Sequence, residues 1–282
     1  MHNDSIFAAG SPRLKSSGIN TRKKMIIYIT AACVYLIAVL IAGLVMNPDL
    51  YGVHYENKFL TPSFSHPFGT DFMGRDMFWR SIKGLSNSIL VGLAASAVSS
   101  VIALIFGVAA AVAGGKTDKI ITWLVDCCMG MPHIVLLLLI SYMMGRGGFG
   151  VAFAVAVTHW PELTRLVRAE VLQVKNAQYV QAAVKMGKSK TRIAKEHIIP
   201  HVLPVYLIGL VLLFPHAIMH EASLTFLGFG FSASTPAIGG ILSEAMKHIV
   251  TGKWWLCLFP GLILLVAVML FDVIGDKLKM LL

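Results

Sequence analysis

The sequence predicts an all-α polytopic membrane protein with six transmembrane helices and a short amphipathic helix on the cytoplasmic side. Three observations carry this. Of 282 residues, 56% are hydrophobic and only 13% charged, the balance of a chain dissolved in lipid rather than wrapped around a soluble core. Runs of roughly twenty residues without a charge recur along it, each long enough to cross a bilayer. The basic residues collect in alternate connections between those runs, and Lys and Arg accumulate on the cytoplasmic side.

The net charge of +10 does not point to nucleic acid, because the bases lie between apolar runs without interleaved aromatics. Cys33, Cys127, Cys128 and Cys257 all lie in apolar runs, and none has the C-x-x-C spacing of a zinc or redox site.

Taken in order, residues 1–24 are polar and hold Arg13, Lys15, Arg22, Lys23 and Lys24 against Asp4, so they are expected in the cytoplasm. Residues 25–46 carry no charge and end at Asn47-Pro48, a first span. The run is too long for a signal peptide and has no small-residue cleavage site, so it is expected to stay as an anchor. Residues 47–83 balance four bases with four acids, as an extracellular or periplasmic segment does. A five-helix core of 84–282 follows.

Its first run, 84–115, exceeds one bilayer thickness, and its Ser, Gly and Ala content suits close helix packing. Residues 120–144, interrupted only by Asp126, read as the third span, and 147 to about 164 as a shorter fourth. Asp126 is placed near the cytoplasmic boundary, where it can snorkel or pair with Lys119. The fifth span, 202–220, contains Pro204 and Pro215, tolerated where neighbouring helices satisfy the freed carbonyls. The sixth is 254–271.

Residues 222–243 are also uncharged, but Gly228, Gly230, Pro236, Gly239 and Gly240 make them a poor helix, read as a re-entrant or surface part of an external loop, 222–253. A seventh span there would place Lys277 and Lys279 outside, so six spans fit better.

The connection 162–200 is long for a loop and carries eight bases against three acids. Within it Tyr179, Ala182, Ala183 and Met186 recur at helical spacing, while Gln181, Lys185 and Lys188 point elsewhere and Gly187 ends or bends the helix. Such a helix either lies on lipid or docks in a protein groove; the narrow, alanine-rich face favours the groove.

Gly187-Lys188-Ser189 and Gly115-Lys116-Thr117 look like the end of a phosphate-binding loop, but the glycine required five positions earlier is replaced by Ala182 and Ala110. No nucleotide site is expected on this chain. Nor is there a nucleophile-base pair or a closed metal set, so the chain reads as a transport subunit and not an enzyme. Asp71, Arg75 and Asp76 share one compact external turn, better read as a salt-bridged structural motif than as a solute contact.

His216 and His220, at i and i+4, lie on one helix face where both imidazoles could share a metal, with Met219 and Glu221 as further candidate ligands. The competing reading has both histidines bonding carbonyls freed near Pro215, or lining a polar peptide path.

Gln181-Ala182-Ala183, then Gly187, then His197-Ile198-Ile199-Pro200 resembles the Glu-Ala-Ala loop of ABC importer permeases, with Gln for Glu at 181 and His for Ile at 197. Three further stretches resemble the C-type permease of the dipeptide, oligopeptide and nickel branch. They are Phe68-Gly69-Thr70-Asp71-Phe72-Met73-Gly74-Arg75-Asp76, Ser223-Leu224-Thr225-Phe226-Leu227-Gly228-Phe229-Gly230, and Phe271-Asp272-Val273-Ile274-Gly275-Asp276-Lys277-Leu278. The H-x-x-x-H pattern before the second stretch resembles the nickel permeases.

The resemblance implies the type I ABC importer fold, in which the helix at 179–187 couples to an ATPase. It implies a prokaryotic plasma membrane, both termini in the cytoplasm, and no cofactor on this chain, with ATP and magnesium on two ATPase subunits. A second, different permease and an extracellular solute-binding protein complete the complex. Nickel or another metal chelate is the leading cargo on this reading, and a dipeptide or oligopeptide the alternative. An ion-coupled secondary transporter would show internal repeats and paired broken helices, and the sequence has no repeat.

Overall fold

The computed structural model describes residues 18–281, so the predicted N-terminal segment, with Asp4, Arg13 and Lys15, falls largely outside the described residues. Every named element among the described residues is helical. Helix α1, Gly18–Val45, contains the first span, and its Ile26, Ile27, Val34, Ile37 and Ile41 face outward, as lipid-facing side chains do. Helix α2, Met77–Ala113, is the central pillar and packs against α1 and six of the helices that follow. At 37 residues it is about 55 Å long, more than the ~30 Å hydrocarbon layer, and it starts a full two turns before the predicted boundary. Ser81, Gly84, Ser88, Gly92, Ser96 and Ser99 are buried along it, small residues that let neighbouring backbones approach. A Cβ on Gly107 would lie 2.7 Å from Val167 Cγ1, so that crossing needs a glycine.

The predicted third span is broken. Helix α3, Gly115–Gly130, and α4, His133–Met143, meet at a bend of 95°. Pro132 causes it: Met131 is held extended at φ −94°, ψ 145°, since the residue before proline is driven out of the helical region. A scan for apolar runs does not reveal such a break.

The fourth span is also shorter than predicted. Helix α5, Gly148–Thr158, ends at His159, and α6, Trp160–Lys175, begins at once with Pro161. Pro161 cannot donate to the Val157 carbonyl, and the Trp160 indole takes that role, donating from Nε1 at 3.0 Å. At 11 residues, about 16 Å, α5 is too short to cross alone and is continued by α6.

Helix α7, Gln178–Lys185, and α8, Lys190–Ile193, are joined at Gly187, whose φ of +75° is natural only to glycine. Amides of Gly187 and Lys188 bond back to Val184 and Ala183 carbonyls, closing α7 as a left-handed glycine cap does. A π-helical turn at Ala194–Ile198 leads into α9, Ile199–Phe226, which passes unbroken through Pro204 and Pro215.

The predicted external loop is therefore partly helix: α9 runs on to Phe226, and α10, Ile238–Met246, packs on α9 and α11. A Cβ on Gly239 would strike the Ala222 carbonyl, so glycine is what lets α10 lie against α9; the packing overrides the poor local propensity. Helix α11, Trp255–Leu281, closes the bundle, running ten residues past the predicted end.

Among the described residues, four helices can cross a membrane by length and composition, or five if the bent α3–α4 pair counts as one span. The fourth predicted span, 147 to about 164, is not among them, because α5 is too short on its own.

Candidate functional site

Both breaks in the helices open onto one place. His133 is the first residue of α4 after the bend, His159 sits in the break between α5 and α6, and His220 projects from α9. One coordinating nitrogen from each of these three histidines lies within 4.8 Å of the others. Their rings meet edge to face, with centroids 4.8, 4.8 and 5.0 Å apart. They line a cavity of about 330 Å³, together with Cys128, Glu162 and His216.

His159 is only 8% exposed, and its orientation is fixed from behind. Its Nδ1 lies 2.9 Å from the Val155 carbonyl, which can only accept, so Nδ1 carries the proton and Nε2 presents a lone pair. That Nε2 is buried without a hydrogen-bond partner.

Of the sequence candidates, His220 lies in the cluster, and His216 lines the same cavity outside it. The remaining two are corrected. Met219 points to the other side of α9, into a groove shared with Leu242 and Leu264. Glu221 is fully buried and accepts a hydrogen bond from Thr225 Oγ1 at 2.7 Å, so it does not join the histidines. Neighbours in sequence on a helix point 100° apart, which is why only the i, i+4 pair faces the cavity. His133 and His159 were not legible as candidates, since nothing in the chain order brings them to His220.

The coupling candidates divide in the same way. Ala183 is 5% exposed and, with Val180, packs inward against a cluster that includes Val125 of α3, Val171 of α6 and Ile198. Tyr179 and Met186 are 48% and 80% exposed, and Ala182, Gln181 and Gly187 are exposed with them. The face predicted as one stripe is thus two. Val180 and Ala183 fasten α7 to the bundle, while Tyr179, Ala182 and Met186, at i, i+3 and i+7, are presented outward. Gln181 lies at the edge, its amide donating to the Lys175 carbonyl at 3.0 Å.

At the far end of α2, Asp71 accepts from Arg75 Nε at 2.7 Å and from Arg80 Nη1 at 2.9 Å. The same two guanidinium groups reach Glu244 Oε2 on α10, at 3.0 and 2.6 Å. Asp76 caps α2 through the Phe78 amide and pairs with His66. The turn is therefore a clamp that ties the segment before α2 to α10. Arg80 and Glu244 complete it, neither of which the local sequence pattern singled out. Asp126 pairs with Arg165 at 2.6 Å and not with Lys119.

Residues 77–279 match the family described as binding-protein-dependent transport system inner membrane component. The chain is 34% identical over 220 residues to the dipeptide transport system permease protein of Bacillus subtilis, covering 78% of this chain and 69% of that one. It is 34% identical to the oligopeptide transport system permease protein of the same organism, over 77% and 71% of the two chains. It is 30% identical to the probable D,D-dipeptide transport system permease protein of Escherichia coli, over 89% and 86%. Among solved structures, the methionine ABC transporter in an inward-facing conformation superposes with a TM-score of 0.58 at 19% identity, over 71% of this chain and 95% of that one. The fold is that of a type I ABC importer permease. With its apolar helices, the family match and the relatives together, the chain belongs to the inner membrane components of binding-protein-dependent transport systems, as an ABC importer permease of the dipeptide, oligopeptide and nickel family.

Proposed function

We propose that this chain forms one half of the translocation path of an ATP-driven importer of dipeptides or short oligopeptides. The observation that carries the cargo class is its similarity, at 30 to 34% identity over most of its length, to permeases of dipeptide and oligopeptide systems. These relatives put the peptide reading ahead of the nickel reading that the H-x-x-x-H pattern suggests. The cavity beside α4, α5 and α9 lies within the usual volume range of small-ligand sites, and a second, different permease supplies its other wall.

Two ATPase subunits hydrolyse ATP, and an extracellular solute-binding protein delivers the solute. Both termini lie in the cytoplasm of a prokaryotic cell. The exposed row of Tyr179, Ala182 and Met186 docks into an ATPase, with Val180 and Ala183 transmitting its displacement to the bundle. Such a rigid attachment lets a distant hydrolytic cycle bias a two-state membrane element.

The test is uptake by the complete complex in proteoliposomes. ATP-dependent accumulation of a labelled dipeptide or tripeptide, dependent on the binding protein, is expected. Failure to accumulate any of a panel of short peptides, while another solute is taken up, overturns the peptide assignment.

A further inference from the structure

We propose that His133, His159 and His220 form a binding site for one divalent transition-metal ion of the zinc or nickel class, which crosses the membrane chelated by a peptide-like solute. The inference deepens the reading of this cavity as the cargo path and rests on it. Three nitrogens within 4.8 Å of one another come from the start of α4, the break between α5 and α6, and α9, which no local packing rule requires. Two nitrogens on one tetrahedral ion are roughly 3.3 Å apart, given metal–nitrogen bonds of about 2.0 Å. Ring rotations at His133 and His220, both only partly buried, can close that difference.

The buried member supplies an independent observation. A histidine held only for packing would have both nitrogens satisfied or wet, whereas His159 Nε2 is buried and unpartnered. Its Nδ1–H donates to the Val155 carbonyl, which is how metal-bound imidazoles are usually held from behind.

Two of the three ligands also sit at helix breaks, His133 after the bend at Pro132 and His159 between α5 and α6. Discontinuous helices are where transporters build cargo sites. Three neutral imidazoles suit borderline ions and leave at least one coordination position open. An amine or carboxylate of a short peptide fills it, which makes a metal-chelating solute the cargo. With no carboxylate among the three, the ion is held loosely enough to leave, as passage requires.

Cobalt(II) is a suitable probe, because its visible absorption reports nitrogen coordination without any need for transport. The complete transporter should bind one cobalt(II) per copy of this chain. His133→Ala, His159→Ala and His220→Ala should each weaken binding at least tenfold, and His54→Ala, at an exposed surface position, should not. Assembly with the partner subunits shows which variants are folded; if His159→Ala does not assemble, the two half-buried positions decide.

Absence of stoichiometric binding in the parent, or undiminished binding in the folded variants, overturns the proposal. Uptake of metal-free peptide without cobalt binding would leave the peptide importer standing and remove the metal site. Cobalt binding that the variants abolish, with no peptide uptake, would do the reverse.

Discussion

Replacing Arg80 by alanine should destabilise the protein more than any change in the loop that precedes it. Arg80 and Asp71 are each only 3% exposed, and the Arg80 guanidinium spans Asp71 at 2.9 Å and Glu244 at 2.6 Å. Removing it leaves two carboxylates facing the single guanidinium of Arg75, which already bonds both. Breaking a buried ion pair by deleting one partner costs about 3–5 kcal/mol, and the surviving Arg75 contacts put this case at the lower end, about 3 kcal/mol. A chain of this length loses roughly 2–4 °C of melting temperature per kcal/mol, so the fall should be about 6–12 °C. The assay is thermal denaturation of the purified complex in detergent, followed by loss of the monodisperse species. Adding Glu244→Gln to Arg80→Ala removes the excess negative charge and should recover roughly 1 kcal/mol or more, because the two residues are directly coupled. An Arg80→Ala protein that melts within about 2 °C of the parent, or a double variant whose losses simply add, would refute the clamp.

Two substitutions one residue apart on α7 should fail in different ways. Ala183→Glu buries a charge in an apolar cluster and should lower stability by about 3 kcal/mol or more, read as poor assembly in detergent. Ala182→Glu, on the exposed row, should leave the chain folded but uncouple ATP hydrolysis from uptake; coupled transport in that variant would show that this row is not the contact. The isolated chain should bind no nucleotide, and saturable, magnesium-dependent binding of a fluorescent ATP analogue would contradict the absence of a phosphate loop. Transport should require a second, different permease, so robust uptake by a complex containing this permease alone would count against the half-path reading.

The spans were legible because lipid imposes length and charge rules that a linear scan can read: α1 and α11 follow directly from their uncharged runs. The bend between α3 and α4 was not, since Pro132 sits inside an apolar run and a hydropathy scan registers only the absence of charge. In α10 the error ran the other way. Gly239 and Gly240 lowered the local helix propensity, but the same absence of a side chain at Gly239 permits the close approach to Ala222 that stabilises the helix.

At the cavity, periodicity identified the one pair that shares a helix, His216 and His220, and could say nothing of His133 and His159. Their meeting with His220 depends on two helix breaks and three packed helices. On α7, periodicity found the helix but merged two faces, because Ala182 and Ala183 are chemically identical and only packing tells which is buried.

The central claim is that the histidine-lined cavity is part of the path, open to alternate sides of the membrane in turn. It is tested most directly by His216→Cys in a chain from which Cys33, Cys127, Cys128 and Cys257 have been removed, since His216 is exposed and lines the cavity. The complete transporter in vesicles is treated with a membrane-impermeant thiol reagent added to one side at a time, without nucleotide and with ATP trapped on the ATPase subunits. The account predicts reaction from the cytoplasmic side in the first state and from the external side in the second. Reaction from the same side in both states, or from neither, would contradict it.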